Sequence, residues 1–325
     1  MSAMYDNLAS PRWLTWWAYL TVLAVCPLLF IGALVTTLKV GMADQRSVVS
    51  PVEAIFEMFG SDKSIGWKIE HGHRLAGWFA GICGIGLAVG FWIGEKGHWF
   101  RWLGLLGLSL ITAQGLLGIF RVQLNALCGR DLAWIHGCFA QLVFAVLASL
   151  AMLVSPGWRS QRGPVAPSLP KWSLVCLGLV FGQLVMGGII RHQPSLLIAR
   201  FHILGAFVVL TALLYLVKLM LESGLRLLGW LVLGLVGLEI LLGVETGVHW
   251  MARFFSPTFA ANETMAQMLT RTTHYFVGSL VFASTALAAV QAHRQAFSLV
   301  RIAPMPKPAT EVPSLAAKSL QGGIA

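Results

Sequence analysis

Residues 201–221 read FHILGAFVVLTALLYLVKLML, twenty-one positions with a single charge, Lys218, and a histidine at the opening. A run this long and unbroken matches the roughly 20 apolar residues a helix needs to cross a bilayer. It lacks the alternation of a barrel strand. Backbone amides in hydrocarbon must be satisfied within the chain, so the segment reads as a spanning helix. Seven further runs qualify, at about 13–38, 70–94, 101–121, 132–154, 172–191, 226–246 and 270–293. The whole chain agrees: 57% of its 325 residues are hydrophobic and 11% charged, against roughly 25% charged in soluble domains. Mean hydropathy is +0.75. The fold class is therefore all-α integral membrane, with eight transmembrane helices forming two pseudo-repeated four-helix bundles.

The net charge of +10 does not indicate nucleic acid, because the basic residues scatter over loops and a tail without a stripe of interleaved aromatics. Five cysteines (Cys26, Cys83, Cys128, Cys138, Cys176) show no CxxC spacing, which argues against zinc and a disulfide framework. All but Cys128, placed in a loop, fall in apolar runs. The first twelve residues show no cleavable signal pattern. Expected organisation is a cytoplasmic tail over 1–12, a first four-helix half over 13–154, a linker over 155–171, a second half over 172–293 and a disordered Pro/Ala/Ser/Lys-rich tail over 294–325. Lys and Arg alone do not decide orientation. Setting aside arginines at helix ends that can bind an anion favours the N-terminus inside, with the chain multi-pass in the cell membrane. Ser50-Pro51-Val52-Glu53 has capping-box spacing with proline at the first helical position, predicting a short interfacial helix near 51–60. The aromatic stretch 250–259 is read as interfacial too.

An internal repeat carries the functional reading. Even-numbered spans open with His73-Arg74-Leu75-Ala76-Gly77, His136-Gly137-Cys138-Phe139-Ala140, His202-Ile203-Leu204-Gly205-Ala206 and His274-Tyr275-Phe276-Val277-Gly278. The histidines are 63, 66 and 72 residues apart, about two crossings each time, so all four lie at similar depth near one surface. Each has a small residue one turn later on the same face, leaving room for a flat macrocycle. Odd-numbered spans carry Gln114-x-x-x-Gly118, Gln183-x-x-x-Gly187 and Glu239-x-x-x-Gly243, with Leu28-x-x-x-Gly32 a weaker match. Pairing His73 with His136, and His202 with His274, supplies two axial ligands per half to heme iron. Arg74, Arg121, Arg191, Arg200 and Arg271 sit where guanidinium groups can meet propionates. A lone histidine at a helix end is usually an interfacial or packing residue. Four in repeated register with small neighbours argue otherwise, and two pairs in separate halves suit a tetrahedral zinc site poorly.

Glu70 lies three residues before His73 on the same face, where a carboxylate is costly and a functional candidate. An Arg-paired structural glutamate is the plainer alternative. Position 199, equally placed before His202, is alanine, so the halves differ: the first is expected to do chemistry, the second to be a passive redox site. Glu239, Glu245, Gln114 and Gln183 are read as intramembrane polar groups that hydrogen-bond between helices or conduct protons. A transporter with a midplane site fits less well, since the histidines cluster near one surface.

Glu70-x-x-His73-Arg74-x-x-Gly77 with His136, His202 and His274 in register resembles the heme A synthase family, supported by Gly32-Ala33-Leu34-Val35-Thr36 and Gln114-Gly115-Leu116-Leu117-Gly118. The resemblance spans about 15–293. It implies oxidation of a methyl group of heme O to a formyl group through successive hydroxylations, with His73 and His136 flanking the substrate heme, Glu70 the essential acid, and His202 and His274 ligating a heme b. Dioxygen and an external electron donor are implied, as are a heme O synthase (farnesyltransferase) upstream and terminal oxidases downstream. Residues 39–69 contain no cysteine, so the chain resembles the subgroup lacking the first-loop cysteine pair. The competing reading is a non-catalytic di-heme electron carrier.

Overall fold

The structure is a computed structural model that describes residues 10–46, 48–60, 62–95, 98–160, 166–256 and 263–302. Among them the chain forms α1 (Arg12–Thr37), α2 (Pro51–Met58), α3 (Ile65–Gly94), α4 (His98–Gln123), α5 (Asn125–Leu153), α6 (Pro156–Ser160), α7 (Leu169–His192), α8 (Leu196–Glu222), α9 (Arg226–Phe255) and α10 (Met265–Ile302). No strand occurs among the described residues. Eight of these helices are long and apolar enough to cross a membrane, and α2 and α6 are the short exceptions.

Helix neighbours define two rings. In the first, α1 packs on α3, α3 on α4, α4 on α5 and α5 back on α1; in the second the order is α7, α8, α9, α10 and back to α7. The rings join where α5 meets α7 and α10 and where α1 meets α10. α10 therefore has helices on several sides and is the most buried span. Outward-facing Trp16, Leu23, Phe207 and Leu241 are exposed, as expected of side chains whose solvent is lipid. Within each ring the two histidine-bearing helices, α3 with α5 and α8 with α10, lie across from one another rather than side by side.

Several helices run past the expected limits. α3, α8 and α10 start five residues earlier than the apolar runs do and α5 seven earlier, so each histidine sits about two to three turns inside its helix instead of at its mouth. α10 also continues to Ile302, correcting the expected tail start at 294: no proline occurs until Pro304, and nothing earlier breaks the ladder. Residues 303–325, the rest of that expected tail, and 1–9 of the N-terminal tail lie outside the described residues. The expected linker contains α6 and the start of α7 at Leu169. α9 extends through Trp250 to Phe255. Cys128 is not in a loop but at a break inside α5, with φ −145° and ψ 25°.

The chain leaves α1 sharply. Lys39 takes the left-handed region at φ 57°, its amide donates to the Thr36 carbonyl at 3.2 Å and the Val40 amide to the Val35 carbonyl at 3.0 Å, a Schellman ending without its usual glycine. This turns the loop back over the first ring. Ser50 then caps α2 by accepting from the Glu53 amide at 3.2 Å. The Glu53 carboxylate goes to Arg46, so the expected capping box is made only in half.

Candidate functional site

The odd-span glycines explain the repeat. A β-carbon built at Gly32 would lie 2.7 Å from Cε1 of His73; at Gly118, Gly187 and Gly243 the same atom would lie 3.2 Å from Cε1 of His136, His202 and His274 respectively. All four imidazoles therefore rest edge-on against a bare backbone on the preceding span. The sequence displayed these glycines, but only the structure pairs each with a histidine. The polar residue four positions earlier reaches the same place. Gln114 Nε2 donates to the His136 carbonyl at 3.1 Å and lies 3.2 Å from both ring nitrogens. Gln183 Nε2 donates to the His202 carbonyl at 2.6 Å. Glu239 Oε1 approaches His274 Nδ1 at 3.1 Å, off the line a hydrogen bond needs. Glu239 thus gives the second half a buried carboxylate too, though not at the register of Glu70. Glu245, by contrast, bonds His249 one turn along its own helix at 2.7 Å.

The small residue one turn after each histidine is less uniform than expected. Nothing lies within 4 Å of a β-carbon at Gly77, whereas one at Gly278 would meet Glu239 Oε1 at 2.9 Å. Of these two glycines, Gly77 alone leaves open space.

In the second ring the His202 and His274 rings face each other with centroids 6.4 Å apart and planes at 81°. With metal–imidazole bonds of about 2.0 Å, two rings on opposite sides of one metal have centroids about 6.3 Å apart. The Nδ1 atoms of His73, His202 and His274 are buried and have no hydrogen-bond partner. An unpaired buried nitrogen costs about 1–3 kcal/mol, and its retention in three of the four repeated settings is what ligation would require. By this test the residues fit a heme iron held between α8 and α10. Gly187→Val is expected to push His202 off this axis and cut heme retained by the purified protein about tenfold. Gly182→Val, at a position open to 4 Å, should leave heme content unchanged.

Glu70, 4% exposed, is held by the protein. Its Oε2 accepts from the Asp44 amide at 3.0 Å and its Oε1 from Arg74 Nη2 at 2.8 Å. Arg74 also donates to the carbonyls of Arg46 and Asp44 at 2.6 and 2.9 Å. The pair therefore fastens the loop between α1 and α2 onto α3. Of the other arginines, Arg191 crosses between rings to the Ala33 carbonyl and Thr37 hydroxyl. Arg271 reaches Glu263 at 3.0 Å and the Thr37 carbonyl at 3.4 Å. Arg121 packs against Gly41 of the loop, and its Nε is buried without a partner. Arg200 is exposed. Three of the five, Arg74, Arg191 and Arg271, thus bond to protein, and among the five Arg121 Nε is the buried guanidinium nitrogen left over.

The two histidine pairs are tied together. Tyr275, next to His274, donates its hydroxyl to the carbonyl of Gly137, next to His136, at 3.0 Å, and Arg191 lies 5.2 Å from the Tyr275 ring centroid. Sequence reading missed Tyr275 entirely, because its partner is on another span.

Asp44 and Arg46 make the loop's electrostatic core, with Arg46 Nη2 2.6 Å from both Asp44 Oδ2 and Glu57 Oε2 and Nη1 2.6 Å from Glu53 Oε1. Burial opposes ionisation of Asp44, but hydrogen bonds from Arg46 and the charges of Arg46 and Arg74 outweigh it and hold the carboxyl at about 2. The hydrogen bond from Arg46 likewise lowers Glu57. Because the native value of Asp44 is below the roughly 3.9 of an unfolded aspartate, its contribution is complete above about pH 4 and is lost as pH falls towards 2. Protection of residues 40–58 from proteolysis should hold from neutral pH to about 5 and fail between about 4 and 2, and Arg46→Gln should move that failure to higher pH.

Fold and site together define a helical multi-pass membrane protein with two helix rings, four glycine-backed histidines and one close histidine pair, His202 and His274. A model of the COX15-CtaA family, described as cytochrome oxidase assembly protein, matches residues 58–202. That stretch includes Glu70, His73 and His136 and ends on His202. No curated protein matches the chain.

Proposed function

We propose that the protein is a heme A synthase, an oxidoreductase that converts a methyl group of heme O to a formyl group for terminal oxidases. The observation that carries this is the glycine-backed histidine in all four positions, with Glu70 and Arg74 beside only one pair. Heme O is the substrate of the first ring, between His73 and His136, and a heme b is the cofactor of the second, between His202 and His274. When bound, heme b supplies single electrons derived from an external donor, and dioxygen is the oxidant.

The chain's own contribution is positional. Gly32 and Gly118 seat the flanking imidazoles, Gln114 fixes the orientation of His136, and Arg121 offers its unpaired Nε to a propionate. Glu70 and Arg74 fasten the loop between α1 and α2 onto α3, which would help to exclude water from a heme bound in this ring, and Glu70 would be its carboxylate for proton transfer. The Tyr275–Gly137 hydrogen bond holds the two sites in one frame.

Co-expression with an enzyme that makes heme O, followed by extraction of total heme, tests this reading. Heme A should accumulate only when the chain is present. Heme O left unchanged by folded, heme-loaded protein would instead support the alternative, a di-heme electron carrier.

A further inference from the structure

A second cluster lies on the loop side of α3, on a face separate from His73. His71 is fully buried and stacks on Trp67 with centroids 3.4 Å apart and planes at 14°. Its Nδ1 is 3.2 Å from the Trp67 carbonyl. A carbonyl only accepts, so Nδ1 carries the proton and the neutral ring presents a lone pair at Nε2. That lone pair faces Asp44 Oδ2 at 3.2 Å and Glu57 Oε2 at 3.9 Å, and Nε2 has no hydrogen-bond partner. Three electron-rich atoms thus converge, all within 4.8 Å of one another; Arg46 Nη2 donates to the two carboxylate oxygens, and no proton is directed at Nε2.

Such a convergence calls for a cation. Arg46, whose side chain is 42% exposed, at present answers the two carboxylates but leaves Nε2 unserved. Asp44, Glu53 and Glu57 all converge on the single guanidinium group of Arg46, so their oxygens are already gathered round one cation position. Two ligands of one tetrahedral zinc are about 3.3 Å apart, close to the His71–Asp44 separation of 3.2 Å, and Glu57, 3.9 Å from Nε2 and within 4.8 Å of the Asp44 oxygen, closes in on both. An imidazole nitrogen among carboxylate oxygens favours a borderline ion of the zinc class over calcium or magnesium.

We propose that His71, Asp44 and Glu57 form a divalent transition-metal site in which the ion displaces Arg46 onto Glu53. The bound ion clamps the loop between α1 and α2 to α3. The site does not depend on the heme reading: it uses neither His73 nor the space between the rings.

The test is zinc competition against a chromophoric chelator, using the full-length, heme-loaded protein in detergent after stripping of adventitious metal. Wild type should take up one equivalent that His71→Gln and Asp44→Asn each weaken at least about tenfold. Arg46→Gln, which removes the competing cation, should instead tighten it. Because the variants move affinity in opposite directions, misfolding cannot imitate the result, and heme content in each verifies the fold. No uptake by wild type, uptake indifferent to His71→Gln, or uptake weakened by Arg46→Gln would overturn the proposal.

Discussion

His202→Ala and His274→Ala proteins are expected to retain at most about a tenth of the heme held in the second ring of the wild type. Each substitution removes one of two rings that face each other at a centroid spacing of 6.4 Å, leaving iron with one axial nitrogen and a hole where the other stood. The scaffold should survive, since both residues sit against backbone glycine rather than in the apolar core. Heme content relative to protein, measured on purified material, reads the effect. Full retention in both variants would place the ligands elsewhere.

Glu70→Ala should keep that second-ring heme yet lower heme A formation by at least about a hundredfold, the usual range for a positioned acid–base group. Two physical roles compete here. Glu70 accepts from the Asp44 amide and pairs with Arg74, so the loss of activity could come from the loop or from the charge. Glu70→Gln separates them, because glutamine can still accept from the amide but carries no charge. Activity rescued by glutamine would make Glu70 a clamp, and activity lost in both variants makes it the reacting carboxylate. Full activity in Glu70→Ala would show that the side chain is dispensable.

The eight spans were legible in the sequence because hydrocarbon leaves little choice: each continuous apolar run had to be a helix, and all eight are long enough to cross. Their ends were less legible: α3, for example, starts five residues before the apolar run, behind a Ser64 side chain that accepts from the Trp67 amide. The histidine register could be read from spacing alone. What it rests on could not, because the contact of Gly187 with His202 or of Gly243 with His274 joins neighbouring spans through a loop whose path the sequence does not state. The protein partners of the arginines were hidden for the same reason. Arg74 and Arg191 find carbonyl partners 28 and 158 residues away, which no local pattern encodes. His71 follows Glu70 by one position, about 100° round the helix, and that rotation is what turns it towards Asp44 and Glu57.

The central claim is that opposed imidazoles from α8 and α10 clasp one porphyrin iron. Electron paramagnetic resonance of the oxidised, purified protein tests it most directly, since the axial ring planes set the shape of a low-spin ferric signal. Planes at 81° predict a strongly anisotropic low-spin signal that disappears in both His202→Ala and His274→Ala. A high-spin ferric signal alone in the wild type, or protein that carries no heme at all, would contradict the account.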